Sequence, residues 1–189
     1  MSAAAAQSRR NGVDTAKLFA TLDAVKAHPE AARFRFSVNN RWISGTHNQN
    51  QISAFYGVGA EQQRPAAFTV EADHPEVLVG GDAAPTPAEL LLATLASCLT
   101  SGLGNIAAVR KITLESVESR VEGDNDLRGT LGLSGEIRNR FEQIRVSFRV
   151  RGAPPPEELR RLVQQAGARS AVYDVLTRGV PINVDVATS

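Results

Sequence analysis

Apolar and polar residues recur along this chain with two different periods, and the order of those periods predicts an α+β fold. Residues 14–27 carry apolar side chains at positions 18, 19, 22 and 25, which is the spacing of one helix face. Other stretches alternate apolar and polar residues every second position, which indicates strands. These predicted strands are residues 33–38, 41–43, 51–56, 67–71, 113–122, 141–150 and 180–186. Two further helices, which begin near residues 156 and 170, complete an α+β order of elements.

Between the predicted strands, polar and glycine-rich stretches predict turns. Residues 45–50 are expected to connect two strands of a hairpin, and residues 123–126 are expected to form a solvated turn. A short helical turn is expected at residues 30–32, directly after the first helix. The chain is therefore divided into a disordered tail at 1–12, a helical extension at 13–32 and one domain at 33–189.

The most apolar segment, residues 87–103, predicts a helix that is hydrophobic nearly all round and so is buried in an interior or an interface. Thr86 as the N-cap, Pro87 at the first helical position and Glu89 at N3 form a capping-box signature. The segment is short and contains several hydroxyl side chains, which makes it a poor membrane span.

This helix carries Cys98, the only cysteine of the sequence. On a helix, Cys98 shares a face with Thr94, Ser101 and Asn105, whose polar groups are candidate ligand-binding residues beside the sulfur. Two interpretations stay open at this point. The thiol is a reactive group, or it is a small buried hydrophobe like many free cysteines.

Composition narrows the classes of function. A net charge of +1 gives no electrostatic case for nucleic acid or an anionic membrane surface. A single cysteine excludes an intramolecular disulfide, and the three histidines lie far apart in sequence, so neither a metal site nor a cofactor is predicted. No signal peptide is visible, and a reducing, cytoplasmic location is expected.

Three stretches resemble the OsmC family, which includes osmotically induced protein C and the organic hydroperoxide resistance proteins. They are Gly81-Asp82 with Pro85–Leu99, Asp126–Leu133 and Arg169–Leu176, and the resemblance extends over residues from about 33 to 187. It implies curved antiparallel sheets around long central helices, in an intertwined homodimer with thiol sites at the subunit interface. It also implies that Cys98 is the peroxidatic cysteine of a thiol-dependent hydroperoxide reductase.

The chain departs from the pattern of that family at its second cysteine, which aligns with Ser170. Because serine cannot resolve a sulfenic acid, an external thiol reductant is expected. Ser170 is also a candidate binding residue beside Cys98, and it suits the N-cap of a short helix that ends near Leu176.

The charged residues of the family's site are displaced as well. The family's glutamate aligns with Ala88, and Glu89 lies about 13 Å along the helix from Cys98, so Glu89 reaches such a site only across the dimer. Arg41 is the candidate activating arginine, and its alternative role is that of a surface strand residue.

Three hypotheses follow. The first is reduction of organic hydroperoxides or hydrogen peroxide through Cys98, which needs a nearby cation or helix N-terminus to ionise the thiol. The second is a non-catalytic dimer that binds a small hydrophobic ligand at the subunit interface. In the third hypothesis Cys98 only packs.

Overall fold

The computed structural model describes residues 9–188 and has the predicted α+β architecture, with every strand pair antiparallel. The chain forms two compact units, which divide between Leu91 and Leu92. The predicted disordered tail at 1–12 lies largely outside the described residues.

The N-terminal unit begins with a two-residue hairpin, β1 Arg9–Arg10 and β2 Val13–Asp14, whose turn places Asn11 and Gly12 at positive φ. Helix α1, Thr15–Ala27, follows directly, because the side chain of Asp14 caps it by accepting a hydrogen bond from the N–H of Lys17 at 3.1 Å. A 3-10 turn at Pro29–Ala32 ends this extension. Both the first helix and the short turn after it were predicted from the sequence.

Two three-stranded sheets make up the rest of this unit. One has the order β3-β6-β7, with β3 Arg35–Phe36, β6 Phe55–Gly57 and β7 Ala60–Gln62. The other has the order β4-β5-β8, with β4 Asn39–Ser44, β5 His47–Ile52 and β8 Phe68–Ala72.

The prediction of a connector at residues 45–50 was wrong, because β5 begins at His47 and leaves a tight turn around Gly45. The alternation at residues 51–56 predicted one strand, but the structure has parts of two strands there. Strand β5 ends at Ile52, and β6 begins at Phe55.

Asp73, whose side chain is 2% exposed, fixes the loop that follows β8. Its Oδ1 accepts hydrogen bonds from Thr46 Oγ1 at 2.6 Å and from the N–H of His74 at 2.8 Å. Its Oδ2 accepts from the N–H groups of Gly81 at 3.1 Å and Ala83 at 3.2 Å. The Thr46 hydroxyl is the largest of the causes that lower the pKa of Asp73 to about 2, against the opposing effect of burial.

Helix α2, Pro87–Val109, begins in the N-terminal unit and continues into the C-terminal unit. Its buried side chains form one stripe rather than the whole circumference: Leu95, Leu99, Leu103, Ile106, Ala107 and Ala108. The helix is therefore less completely enclosed within this chain than its apolar composition predicted.

The C-terminal unit is built on a long antiparallel ribbon of two twelve-residue strands, β9 Leu114–Asn125 and β10 Phe141–Gly152. The short helix α3, Leu127–Thr130, follows β9. The predicted turn at 123–126 was wrong for its first three residues, which extend β9.

Helices α4, Pro156–Ala168, and α5, Ala171–Arg178, complete this unit. Its core joins the second half of α2 to the apolar face of α4. The core residues are Leu103, Ile106, Ala107, Ile112, Leu159, Leu162 and Ala166. Residues 180–186, predicted as the last strand, have no regular secondary structure here.

Among residues 9–188, α2 is the one helix with the length and hydropathy of a membrane span, and 28% of that apolar window is buried inside the protein. One such helix is weak evidence for a membrane, because core helices of globular proteins share these properties.

Candidate functional site

The start of α2 is fixed by the predicted capping box, which the structure confirms. The Thr86 N–H donates to Glu89 Oε2 at 2.8 Å, and the Glu89 N–H donates to Thr86 Oγ1 at 3.1 Å. The pKa of Glu89 is lowered, first by the Thr86 N–H and then by its hydroxyl. Glu89 thus has a defined structural partner in Thr86.

Cys98 lies three turns farther along α2 and is half-buried beside the buried stripe of that helix. One turn after Cys98, α2 lies close to α4. If Gly102 carried a Cβ, that atom would lie 3.7 Å from the Cβ of Ala166. Cys98 lies four residues before Gly102, and Ser170 lies four residues after Ala166. The contact between Gly102 and Ala166 therefore brings Cys98 close to Ser170, at the beginning of α5.

Ser170 caps α5 and contacts the thiol at the same time. Its Oγ accepts the N–H of Tyr173 at 3.1 Å, which confirms the predicted N-cap. The same hydroxyl donates to Cys98 Sγ at 3.1 Å, and the Ser170 side chain is 5% exposed. Within residues 92–188 this is the one side-chain hydrogen bond of Cys98.

The other predicted polar residues of this face point outward. Thr94, Ser101 and Asn105 are all exposed on α2. Their role in binding stays a prediction.

Arg41, the predicted activating residue, lies exposed on β4 in the N-terminal unit, opposite Gln49 on β5. It lines a polar hollow of about 200 Å³ together with Asn39, Asn40, Gln49 and Gln51. Across residues 9–188 the guanidinium of Arg41 makes no ion pair. The amide-rich lining of this hollow was missed in the sequence, although the run from Asn48 to Gln51 was its signal.

The chemistry available around Cys98 is that of a thiol beside a buried hydroxyl and a helix N-terminus. In residues 92–188, no Lys, Arg or His side chain forms a hydrogen bond with the sulfur. No group of three or more His, Cys, Asp or Glu side chains within 9–188 is arranged to hold a metal ion. The site is therefore suited to thiol chemistry, with stabilisation from neutral dipoles.

A family model described as OsmC-like protein matches residues 80–185, which is more than half of the chain and includes both Cys98 and Ser170. No curated protein sequence matches this chain.

Several solved structures share the fold. An OsmC-like protein from Mycoplasma pneumoniae is 15% identical with a TM-score of 0.56, over 81% of this chain and 96% of that one. An OsmC-like protein of unknown function from Vibrio cholerae is 14% identical with a TM-score of 0.53, over 74% and 92%. An organic hydroperoxide resistance protein OsmC from Legionella pneumophila is 17% identical with a TM-score of 0.51, over 76% and 90%.

Proposed function

The chain belongs to the OsmC-like protein family, and from this premise we propose that it reduces organic hydroperoxides or hydrogen peroxide through Cys98. The observation that carries the proposal is a half-buried thiol with a buried hydroxyl donor 3.1 Å away, inside the segment that the family model matches. The name of the structurally similar Legionella pneumophila protein, which refers to organic hydroperoxide resistance, supports the choice of substrate.

In the proposed reaction the Cys98 thiolate attacks one peroxide oxygen. The S–O bond forms as the O–O bond breaks, so the sulfur is oxidised to a sulfenic acid and the peroxide leaves as an alcohol or water after taking up a proton. Since Cys98 is the only cysteine of the sequence, an external thiol then attacks the sulfenic sulfur and releases water. A second external thiol opens the resulting mixed disulfide and restores Cys98.

Positive charge near the sulfur would speed the first step, because the thiolate and not the thiol is the nucleophile. We include Arg41 in the proposal as the source of that charge, since its exposed guanidinium makes no ion pair among residues 9–188. Glu89 is the weaker candidate for a catalytic role, because its carboxylate already accepts hydrogen bonds from the N–H and the hydroxyl of Thr86. A role for Glu89 in the site would require the partner subunit of a homodimer, which we also propose.

The location proposed is the cytoplasm. The exposed face of α2 carries hydroxyl and amide side chains beside Cys98, and its opposite face packs in the core of the C-terminal unit. We therefore propose that α2 is the central helix of a soluble protein.

The proposal is tested by peroxide consumption with cumene hydroperoxide and dithiothreitol. Wild type is expected to consume the hydroperoxide, and Cys98→Ser is expected to lower the rate to the background of the dithiol, because it removes the nucleophile. Dimedone added after one equivalent of peroxide should label Cys98 in wild type.

Ser97→Ala is the matched control, because Ser97 is an exposed neighbour whose hydroxyl donates to the Ala93 carbonyl at 2.8 Å within α2. It is expected to leave the rate near that of wild type. Turnover by Cys98→Ser equal to that of wild type, in a protein of unchanged circular dichroism, would end the proposal.

A second candidate function is the binding of a small hydrophobic ligand without turnover. A cavity of about 420 Å³ between β10 and α4 favours it. The lining residues are Phe148, Val150, Pro156, Leu159, Arg160, Val163 and Gln164. Native mass spectrometry of the purified protein tests this function, and a co-purified apolar molecule together with no peroxide consumption would favour it over the first.

A further inference from the structure

The hydroxyl of Ser170 is a buried group with both of its hydrogen-bonding functions assigned. A serine hydroxyl has one proton to donate and two lone pairs to accept with. The Tyr173 N–H can only donate, so its 3.1 Å bond to Ser170 uses a lone pair of the oxygen. The proton of the hydroxyl is thereby left for Cys98 Sγ, which lies 3.1 Å away.

Burial makes this orientation persistent. With 5% of Ser170 exposed, the hydroxyl has little access to water, and Cys98 is its one side-chain acceptor within residues 92–188. A buried hydroxyl without an acceptor is costly, so the proton stays directed at the sulfur.

We propose that Ser170 is a positioning residue for Cys98, whose hydroxyl is held by the first turn of α5 so that it donates to the sulfur and stabilises the thiolate. This inference rests on the proposed function, in which the thiolate is the attacking group. It gives Ser170 a chemical role besides capping.

The hydrogen bond favours the ionised form because the two states of the sulfur differ as acceptors. A thiolate carries a full charge, and hydrogen bonds to charged groups are roughly twice as strong as those to neutral groups. The partial positive charge at the N-terminus of α5 acts in the same direction.

Among residues 92–188, no charged side chain forms a hydrogen bond with Cys98 or with the Ser170 hydroxyl. On α2, no charged residue follows Glu89. Beside Ser170, Arg169 and Asp174 are exposed, and Asp174 pairs with Arg178 at 3.3 Å.

The test measures alkylation of Cys98 by iodoacetamide from pH 5 to pH 10 in the full-length protein, where the single cysteine gives no competing signal. Ser170→Gly is expected to slow alkylation near neutral pH by about tenfold and to move the midpoint of the pH profile upward, because the thiolate loses its donor. Glycine is a tolerated N-cap, so the loss of the cap costs only a few tenths of a kcal/mol.

Two further variants separate donation from capping. Ser170→Thr keeps the hydroxyl and should restore the wild-type profile to within about twofold. Ser170→Asp keeps a capping oxygen but has no proton to donate, so the midpoint of its alkylation profile should also move upward. If Ser170→Gly does not fold, Ser170→Asp takes its place in the test.

Asp14→Ala is the matched control, because it removes a helix cap of α1, where the carboxylate accepts from Lys17 at 3.1 Å, and leaves the thiol environment unchanged. Its alkylation profile should match that of wild type. An unchanged profile in folded Ser170→Gly and Ser170→Asp would overturn the inference while leaving the proposed function to the Cys98→Ser assay. Peroxide turnover by Cys98→Ser would refute the function without altering the alkylation result.

Discussion

At the scale of single residues, the pair Cys98 and Ser170 decides how the proposed oxidised sulfur is reduced. The two side-chain atoms lie 3.1 Å apart, although the residues are 72 positions apart in sequence. A disulfide needs about 2.05 Å between sulfurs, so a thiol at position 170 would need a shift of only about 1 Å.

We therefore predict that Ser170→Cys, treated with one equivalent of cumene hydroperoxide, forms an intramolecular disulfide. The sulfenic acid of Cys98 is attacked by the new thiol and water is released, so the protein loses two hydrogens relative to its reduced form. Intact mass and non-reducing peptide mapping measure this product. Thr177→Cys, seven residues farther along α5, places its thiol about 10 Å away along the axis and should not form it. Persistence of two free thiols in the oxidised Ser170→Cys protein would contradict the prediction.

Part of this pair could be predicted from sequence and part could not. The capping role of Ser170 follows from a local preference, since a serine before a helix satisfies an N–H two or three residues on. Its contact with Cys98 follows from the packing of Gly102 against Ala166, and no periodicity in the sequence reports such a contact. The resemblance to the family pointed to position 170, and the structure supplies the distance.

At the scale of elements, the loop after β8 depends on the buried carboxylate of Asp73. Asn at this position has one acceptor oxygen instead of two, so its NH₂ group would face either the N–H donor of His74 or those of Gly81 and Ala83. We predict that Asp73→Asn lowers the melting temperature near neutral pH by roughly 5 °C.

The pH dependence of stability has a definite sign. Folding lowers the pKa of Asp73 to about 2, so its stabilising effect is present above the unfolded value of about 4 and is lost as pH falls toward 2. Thermal melts from pH 2 to pH 7 should show a smaller pH dependence in Asp73→Asn than in wild type over that acidic range. Asp82→Asn makes the same chemical change at an exposed position of the same loop and should melt like wild type. Equal melting temperatures for the Asp73 and Asp82 variants would contradict the assigned role.

Strand β5 explains why some elements were missed. Its residues are mostly amides and do not alternate with apolar residues, so the sequence favoured a connector. In the structure Asn40 Nδ2 donates to Asn48 Oδ1 at 2.8 Å and to Asn50 Oδ1 at 2.9 Å, and Asn50 Nδ2 donates to the Val70 carbonyl at 3.1 Å. Hydrogen bonds between side chains across β4, β5 and β8 replace the apolar contacts that the pattern would have revealed.

At the scale of the whole molecule, the C-terminal segment leaves apolar side chains exposed. Val180, Ile182, Val184 and Val186 alternate with shorter or polar residues, as in a strand, and the last three are each 80% exposed. A single chain buries no face of this segment. The alternation predicted a strand at 180–186, but the structure has none there. A strand needs a partner strand, and the proposed homodimer would supply one.

We predict that Ile182→Asp weakens self-association and raises the dimer dissociation constant by at least about tenfold, because burying an Ile side chain is worth about 1.5–3 kcal/mol and a two-fold interface contains it twice. Sedimentation velocity over a series of protein concentrations measures the constant. Asn183→Asp adds the same charge at the next residue, on the opposite face of the predicted strand, and should leave the constant within about twofold of wild type. If the two variants dissociate alike, charge rather than the buried face governs association. If Ile182→Asp associates as tightly as wild type, the segment does not lie in the subunit interface, and any interlocking of two chains must use other strands.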